Sequence, residues 1–481
     1  MSSPAPSFRD PAGSCYLYRD RILRRVAADA VQDFETFLQT DCARRFGEQK
    51  QWVNTRRLDH REAAALAEVP ELQKVSAAAA GTWYEHERIF FPSYPHEWPP
   101  EMLWDAGRLT LELARSAAAG GFGLKDATPY NILFRGSEPV FIDVLSFERR
   151  HPADPIWLPE AQFVRTFLLP LLANRRWNFP LADVFTTHRD GLEPEDVYRF
   201  CGPLEKFRPR MLALVSIPTW LSRRAPADEA KIYQPRRLAD PEKAQFILES
   251  LFRRLERALQ RLEPVARRNS VWSDYMETHS YDDPAFAAKE AFVRDALREF
   301  RPARVLDAGA NTGHFSLLAA EAGAEVVAVD LDPTCVGNIW RQARRQKRNV
   351  LPLVINLARP SPALGWANRE CPSFLDRAAG RFDGLLMLAL IHHLLVSERV
   401  PLEEILRLAA QVTKSLLVAE FVPPSDAMFR RIARGRDHLY AGLDAARFEA
   451  ACRPYFEIVR SQALPGTQRQ LYCLRRKGRE T

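Results

Sequence analysis

From about residue 270 onward, continuous apolar runs alternate with helical stretches. The runs are RVLDAG (304–309), EVVAVDLD (325–332), VLPLVIN (350–356), FDGLLMLALIHHL (382–394), SLLVAEFV (415–422), FEIVRSQAL (456–464) and QRQLYCLRR (468–476). Short apolar segments separated by helix-length intervals predict strands buried on both faces of a parallel sheet, with helices as the crossovers. The last two runs are separated only by a turn around Leu464-Pro465-Gly466. They are expected to pair as a hairpin and to put one antiparallel strand into a seven-stranded sheet.

Upstream the pattern is different. Short strand-like runs (CYLYRD at 15–20, RILRRVA at 21–27, GTWYEHERIFF at 81–91) mix with helices expected near 29–46 and 100–118. From 155 to 265 the pattern is mainly helical, broken by proline-rich turns around 217–227. AQFILESLFRRLERALQRLEP (244–264) has apolar residues at three- and four-residue intervals and ends at Pro264, so it reads as an amphipathic bridge. The pattern divides the chain into a mixed α+β domain over 1–154, a helical region and bridge over 155–268, and an α/β domain over 269–481.

Composition narrows the class. The 481 residues are 46% hydrophobic and 27% charged, the balance of a folded globular protein too long for one ordinary core. The net charge is +7, and the densest basic run, RQARRQKRN (341–349), contains no aromatic residue. It reads as a solvated helix end and gives only a weak nucleic-acid signal. Seven widely spaced cysteines without a CxxC argue against a disulfide framework and against a metal site, which fits reduced thiols in the cytoplasm. MSSPAPSFRDPAGS lacks the apolar stretch of a signal peptide, and FLLPLLA and LLMLALI are too short to span a bilayer. The expectation is a cytoplasmic protein without membrane insertion; the oligomeric state is left open.

The chemistry is most legible in VLDAGANTGHFS (305–316), a strand, a glycine turn and a helix start. Gly309 and Gly313 are expected to let the backbone turn and approach a ligand where a Cβ would collide. A G-x-G-x-x-G dinucleotide loop counted from Gly309 fails, because Asn311 and His314 stand where glycines are required. No Gly-Lys-Ser/Thr follows either, so a Walker A loop fails. What remains is Asp307-x-Gly309-x-Asn311-Thr312-Gly313, a carboxylate leading into the turn. A carboxylate suits a cationic ligand better than a phosphate, and S-adenosylmethionine has an α-ammonium, a sulfonium and no phosphate. Asp330, ending the next run, is placed to accept hydrogen bonds from two ribose hydroxyls. The residues alone leave open a glycine-rich turn in a sheet without cofactor.

On these residues the segment resembles motif I and the following acidic loop of class I S-adenosylmethionine-dependent methyltransferases. The resemblance implies a Rossmann-like seven-stranded domain with S-adenosylmethionine held by Asp307, Gly309, Asn311, Thr312, Gly313 and Asp330. That family often ends strand three in an Asp contacting the adenine amino group. Asn356-Leu357 stands there here, and Asn can accept through its carbonyl. NLARPSPALGWANRE (356–370), LALIHHLL (388–395), EFVPPSD (420–426), SYPHEW (93–98) and LKDATPYN (124–131) are similar to a bacterial methyltransferase family that includes NoeA-type nodulation proteins. This resemblance covers most of the chain and implies methyl transfer without naming an acceptor.

Methyl transfer requires the acceptor held in line and, for O–H or N–H acceptors, a group to take a proton. His392 and His393 follow the fourth run; they read either as a general base or as residues packing a strand end. Glu420 and Asp426 read either as groups orienting an acceptor or as a buried partner and a helix cap. Pro360-Ser361-Pro362, Gly365, Trp366 and Asn368 form either a wall near the adenine or a structural turn. WSDYMETHSYDDPAFAAKEAF (272–292), with Tyr275, His279, Tyr281 and Lys289, reads as a lid over the cofactor or as a packing helix.

One further motif lies upstream. In LKDATPYNILFRGSEPVFID (124–143), Asp126 and Asn131 have the D-x-x-x-x-N spacing of a kinase catalytic loop, and Asp143 ends a second strand as a metal-binding Asp would. The segment resembles the kinase-like fold of the aminoglycoside-phosphotransferase type. It departs from it at Leu124, where a His is usual, and at Val144-Leu145, where Phe-Gly is usual. It also has no glycine-rich phosphate loop and carries Arg24 or Arg25 on the strand expected to carry a Lys. The expectation is a degenerate kinase-like domain in which Asp126, Asn131 and Asp143 are a nucleotide or metal remnant. The chain therefore reads as a methyltransferase acting on a small molecule or natural product. An RNA or protein methyltransferase, or a bifunctional protein with a nucleotide-binding domain, is the alternative.

Overall fold

The computed structural model describes residues 10–70, 72, 81–223, 237–265 and 283–478. The chain forms two compact units. The first comprises Met1–His96, Pro100–Phe134 and Glu138–Pro264, and the second comprises Val265–Thr481 with Glu97–Pro99 and Arg135–Ser137.

In the first unit, β1 (Gly13–Tyr18), β2 (Arg21–Ala27), β3 (Thr55–Arg57) and β4 (Gly81–His86) form an antiparallel sheet in the order β1-β2-β4-β3. Arg19 and Asp20, at φ 44° and 65°, make the two-residue turn between β1 and β2, whose backbone twist matches the paired strands. The helix expected near 29–46 is two helices, Ala28–Leu38 and Asp41–Glu48. The break falls at Thr40, whose hydroxyl accepts from the Ala43 N–H at 3.2 Å and so caps the second helix. The strand read at 81–91 ends at His86. The helix Pro100–Ala119 is buried on most of its surface. Two small two-stranded sheets follow: β5 (Phe122–Leu124) pairs with β8 (Phe147–Arg149), and between them in the chain β6 (Ile132–Arg135) pairs with β7 (Glu138–Phe141).

The amphipathic helix is Pro241–Gln260, started by Asp240, whose carboxylate accepts from the Glu242 and Lys243 N–H groups. It is packed into the first unit rather than standing free as a bridge. Leu248, Phe252, Leu255 and Leu259 are buried, and Arg115 on the helix Pro100–Ala119 forms ion pairs with Glu249 and Glu256.

The second unit holds β9 (Arg304–Ala308), β10 (Glu325–Asp330), β11 (Val350–Val354), β12 (Phe382–Met387), β13 (Thr413–Phe421), β14 (Phe456–Ala463) and β15 (Gln470–Arg476). Their order is β11-β10-β9-β12-β13-β15-β14. The first five are parallel; β15 runs antiparallel between β13 and β14. The five parallel strands are nearly continuous in burial because helices cover both faces, whereas the edge strand β14 is mostly half-buried or exposed. On one face Phe292, Val293, Ala296 and Leu297 of the helix Asp283–Phe300 pack with Val305, Leu386, Val418 and Cys473. From β9 the chain winds outward through β10 and β11, then returns to the other side of β9 for β12 and β13. This reversal opens a crevice beyond the carboxyl ends of the central strands.

Candidate functional site

The loop leaving β9 is fixed from within the protein. Asp307 is buried, and its carboxylate accepts from the Ser316 hydroxyl at 2.6 Å. Burial outweighs that bond and pushes the Asp307 carboxyl up to about 6. Gly309 and Gly313 have φ of 73° and 86°. A Cβ on Gly313 would lie 2.7 Å from Ile339 Cγ1, and one on Gly309 would lie 3.1 Å from Leu390 Cδ1. At Gly313 the neighbouring Ile339 side chain by itself excludes a Cβ, whereas at Gly309, which lines the cavity described below, Leu390 leaves a tight but less severe fit.

Asp330, at the end of β10, ties two loops together. Its carboxylate accepts from the Asn311 N–H at 2.8 Å and from the Asp332 N–H at 2.9 Å, one on each oxygen. The Leu331 N–H also acts on this carboxylate, and an ionised carboxylate has about four lone-pair sites, so acceptor capacity remains for another donor. Burial raises its pKa and the backbone donors oppose the rise.

These loops border a cavity of about 740 Å³ within the second unit. Asp307, Gly309, Asn311, Thr312, Asp330, Asn356 and Leu357 all line it. Gly313 does not; it lies against Ile339. Asn356 Oδ1 accepts from the Ala358 N–H at 2.9 Å, which shapes the turn after β11.

The two histidines separate. His393 lines the cavity, while His392 is buried outside its wall. Their ring centroids are 4.2 Å apart. Burial and then the charge of Arg469 push His393 down to about 4. Burial lowers His392 well below the usual range, and neither of its ring nitrogens has a hydrogen-bond partner.

Glu420, at the end of β13, is fully buried and does not line the cavity. It accepts from Lys289 Nζ at 2.6 Å and from Arg469 Nη1 at 3.4 Å. Arg469 also donates to Asp426 at 2.8 and 3.2 Å, and Asp426 caps the helix Ala427–Ala433 through the Met428 and Phe429 N–H groups. Of the two readings of this pair, the structure has the buried partner and the helix cap. Lys289 does reach the cavity wall. Its signal was in the sequence: it is a lone charge on the stripe Ala285, Phe292, Val293, Ala296, whose other members are buried. Arg399, Arg431, Arg434 and Arg436 also line the cavity and were not singled out.

The Pro360–Asn368 connection does not line the cavity, and Trp366 is 68% exposed. It is a turn, with Gly365, Ala367 and Asn368 at positive φ and Leu364 bridged to Cys371. Tyr275, His279 and Tyr281 lie outside the described residues.

In the first unit Asn131 Nδ2 donates to Ser146 Oγ at 3.4 Å, and Ser146 Oγ donates to Asp143 at 2.5 Å. Arg24 of β2 lies 3.2 Å from Asp143 and donates to His86 Nε2 at 3.1 Å. Asp126 accepts from Gln162 at 3.5 Å, and burial raises its carboxyl pKa.

Residues 248–453 match the family model described as a methyltransferase domain, a span that holds every cavity-lining residue named above. Nodulation protein NoeA of Rhizobium meliloti (strain 1021) is 29% identical over 475 residues, covering 98% of this chain and 96% of that protein. Among solved structures, the N-methyltransferase NodS from Bradyrhizobium japonicum WM9 is similar over 41% of this chain and 99% of its own, at 14% identity and a TM-score of 0.31. Magnesium protoporphyrin IX methyltransferase (ChlM) from Synechocystis PCC 6803 with bound SAH is similar over 42% and 90%, at 17% identity and a TM-score of 0.29. The chain is an S-adenosylmethionine-dependent methyltransferase. Among the described residues no helix is long and apolar enough to cross a membrane.

Proposed function

We propose that the second unit methylates a small-molecule acceptor held in the 740 Å³ cavity, with His393 taking the acceptor's proton. The observation that carries the reading is the Asp330 carboxylate, fixed by backbone donors and with acceptor capacity left at the cavity wall. The donor set fits the cofactor: two carboxylates suit a cationic molecule with a ribose diol, and Asn356 and Leu357 stand on the wall for the base. When bound, the sulfonium supplies an activated methyl group.

The chain's own residues do the rest. Asp330 orients the ribose, and Lys289 presents a positive charge at the wall for a carboxylate. The low pKa of His393 keeps its ring neutral at physiological pH, the state that accepts a proton from an O–H or N–H acceptor. His392, outside the wall, backs His393. A cavity of this size suits a small organic acceptor more than a macromolecular surface; an RNA or protein acceptor is the alternative. The seven cysteines are free, which supports a reducing compartment such as the cytoplasm.

The first unit is read as a degenerate kinase-like domain serving acceptor binding or regulation. Its support is the Asp126, Asn131 and Asp143 arrangement, with the Arg24 guanidinium beside Asp143 where a metal-binding carboxylate would face a cation. Calorimetry tests both parts. S-adenosylmethionine should bind the full chain and bind at least about tenfold more weakly to Asp330→Ala; unchanged binding in the variant defeats the cofactor assignment. Mg-ATP binding abolished by Asp143→Ala would turn the first unit into a working nucleotide site. Labelled methyl appearing only in the RNA or protein fraction of an extract would replace the small-molecule acceptor.

A further inference from the structure

The cavity is electrically divided. The carboxyl ends of β9 and β10 bring it Asp307 and Asp330, and the segments after β12 and β13 bring it Arg399, Arg431, Arg434 and Arg436. Among the described residues none of these four guanidinium groups has a hydrogen-bond or ion-pair partner. Glu398, the carboxylate on their side, is held by Arg359 at 3.2 Å. The arginines are also not simply caps of the short helix Ala427–Ala433, because no side chain among them bonds a terminal carbonyl.

Their backbone is held in place. Asp426 caps that helix, and Phe429 and Ala433 pack with Val396 and Val422. Four uncompensated cations at one cleft repel one another and focus a positive potential into it. A cationic cofactor does not relieve that repulsion, and Lys289 stands apart at the Asp307 end, where its charge acts on that carboxyl.

We infer that the methyl acceptor carries an oxyanion, a carboxylate or a phosphate, gripped by Arg399, Arg431, Arg434 and Arg436 while its nucleophilic atom faces His393. The planar guanidinium fork matches either oxyanion in two-point contacts that a lysine cannot make. This inference rests on the methyltransferase reading of the cavity.

The test titrates the full chain with S-adenosylhomocysteine and then, at constant ionic strength, with inorganic phosphate and separately with acetate. One anion or both should bind saturably and at least about tenfold more weakly to Arg431→Ala/Arg434→Ala. Arg431→Lys/Arg434→Lys should recover part of the loss, and S-adenosylhomocysteine affinity should stay within about twofold throughout. Phosphate alone binding assigns a phosphorylated acceptor, and acetate alone a carboxylate. If neither anion binds, or binding is unchanged in the alanine pair, the inference is overturned. If S-adenosylhomocysteine fails to bind, the cofactor reading falls instead, and the anion titrations on the chain alone still decide the role of the arginines.

Discussion

Replacing Gly313 by alanine separates two reasons for a glycine in the loop after β9. One is ligand approach; the other is packing, and the structure supports packing. Gly313 has φ 86°, and its added methyl would lie 2.7 Å from Ile339 Cγ1 and 3.1 Å from Cγ2. Ile339 is fully buried on the helix Pro333–Gln346, so it has little room to yield. The left-handed backbone costs an L residue roughly 1–2 kcal/mol. Overpacking a filled core adds roughly 1–3 kcal/mol. Together Gly313→Ala should destabilise the second unit by roughly 2–5 kcal/mol, a fall of roughly 5–15 °C in its unfolding midpoint.

Two controls divide the sum. Gly323 and Gly380 have φ of 97° and 59°, on either side of Gly313, and an added Cβ at either meets nothing within 4 Å. Their alanine variants should show the conformational part alone, roughly 1–2 kcal/mol each. Ile339→Ala in the Gly313→Ala background should show a favourable coupling, because the clash is gone. The assay is thermal unfolding followed by S-adenosylmethionine calorimetry on protein that remains folded, with affinity expected within about twofold of the wild type. Unchanged stability with a collapse of cofactor affinity would refute the packing argument and restore ligand approach as the reason for the glycine.

Two further outcomes follow from the buried charges. The folded His393 titrates at about 4 and its unfolded form near 6.5, so between these values the unfolded chain binds the extra proton and stability is lost as pH falls through the window. Asp307, at about 6 folded against 3.8, acts with the opposite sign, since the folded state holds that proton. His393→Gln should therefore flatten the acid loss of stability between pH 4 and 6.5 by up to roughly 3 kcal/mol, read by denaturant titration at several pH values; an unaltered slope contradicts the assignment. Lys289→Met removes the 2.6 Å cationic partner of the buried Glu420 carboxylate and should destabilise by roughly 3–5 kcal/mol, with Glu420→Gln recovering much of it in the double variant. Equal losses in the single and double variants would show that the pair does not act as a pair.

What the sequence made legible depends on distance along the chain. Each of the seven apolar runs carries a strand, and for β9 to β13 this follows because a segment buried on both faces needs no partner to be read. The carboxylate at Asp330 was readable for the same reason, as the last residue of such a run. The physical cause of Gly313 was not, because Ile339 is brought to it by the crossover between β10 and β11. The partners of Glu420 were hidden more deeply, since Lys289 lies 131 residues before it and Arg469 lies 49 after. Histidines adjacent in sequence were read together, yet on the short helix Ile391–Val396 they point to different surroundings. The split at Thr40 was a readable cap that the apolar periodicity overrode.

The pairing of Glu420 also explains what the antiparallel hairpin contributes to the site. A parallel sheet could have ended at β13; β14 and β15 continue it and deliver Arg469 immediately before β15. There Arg469 is 2% exposed and holds two carboxylates at once, Glu420 at the end of β13 and Asp426 at the start of the arginine-bearing helix. Glu420 in turn holds Lys289 on the helix before β9. Four alternating charges thus connect three separate segments behind the cavity. Each buried charge faces an opposite one, which burial at this depth requires. The Lys289 and arginine sides of the cavity are joined through this chain, so a change in the hairpin would reach both without touching either ligand.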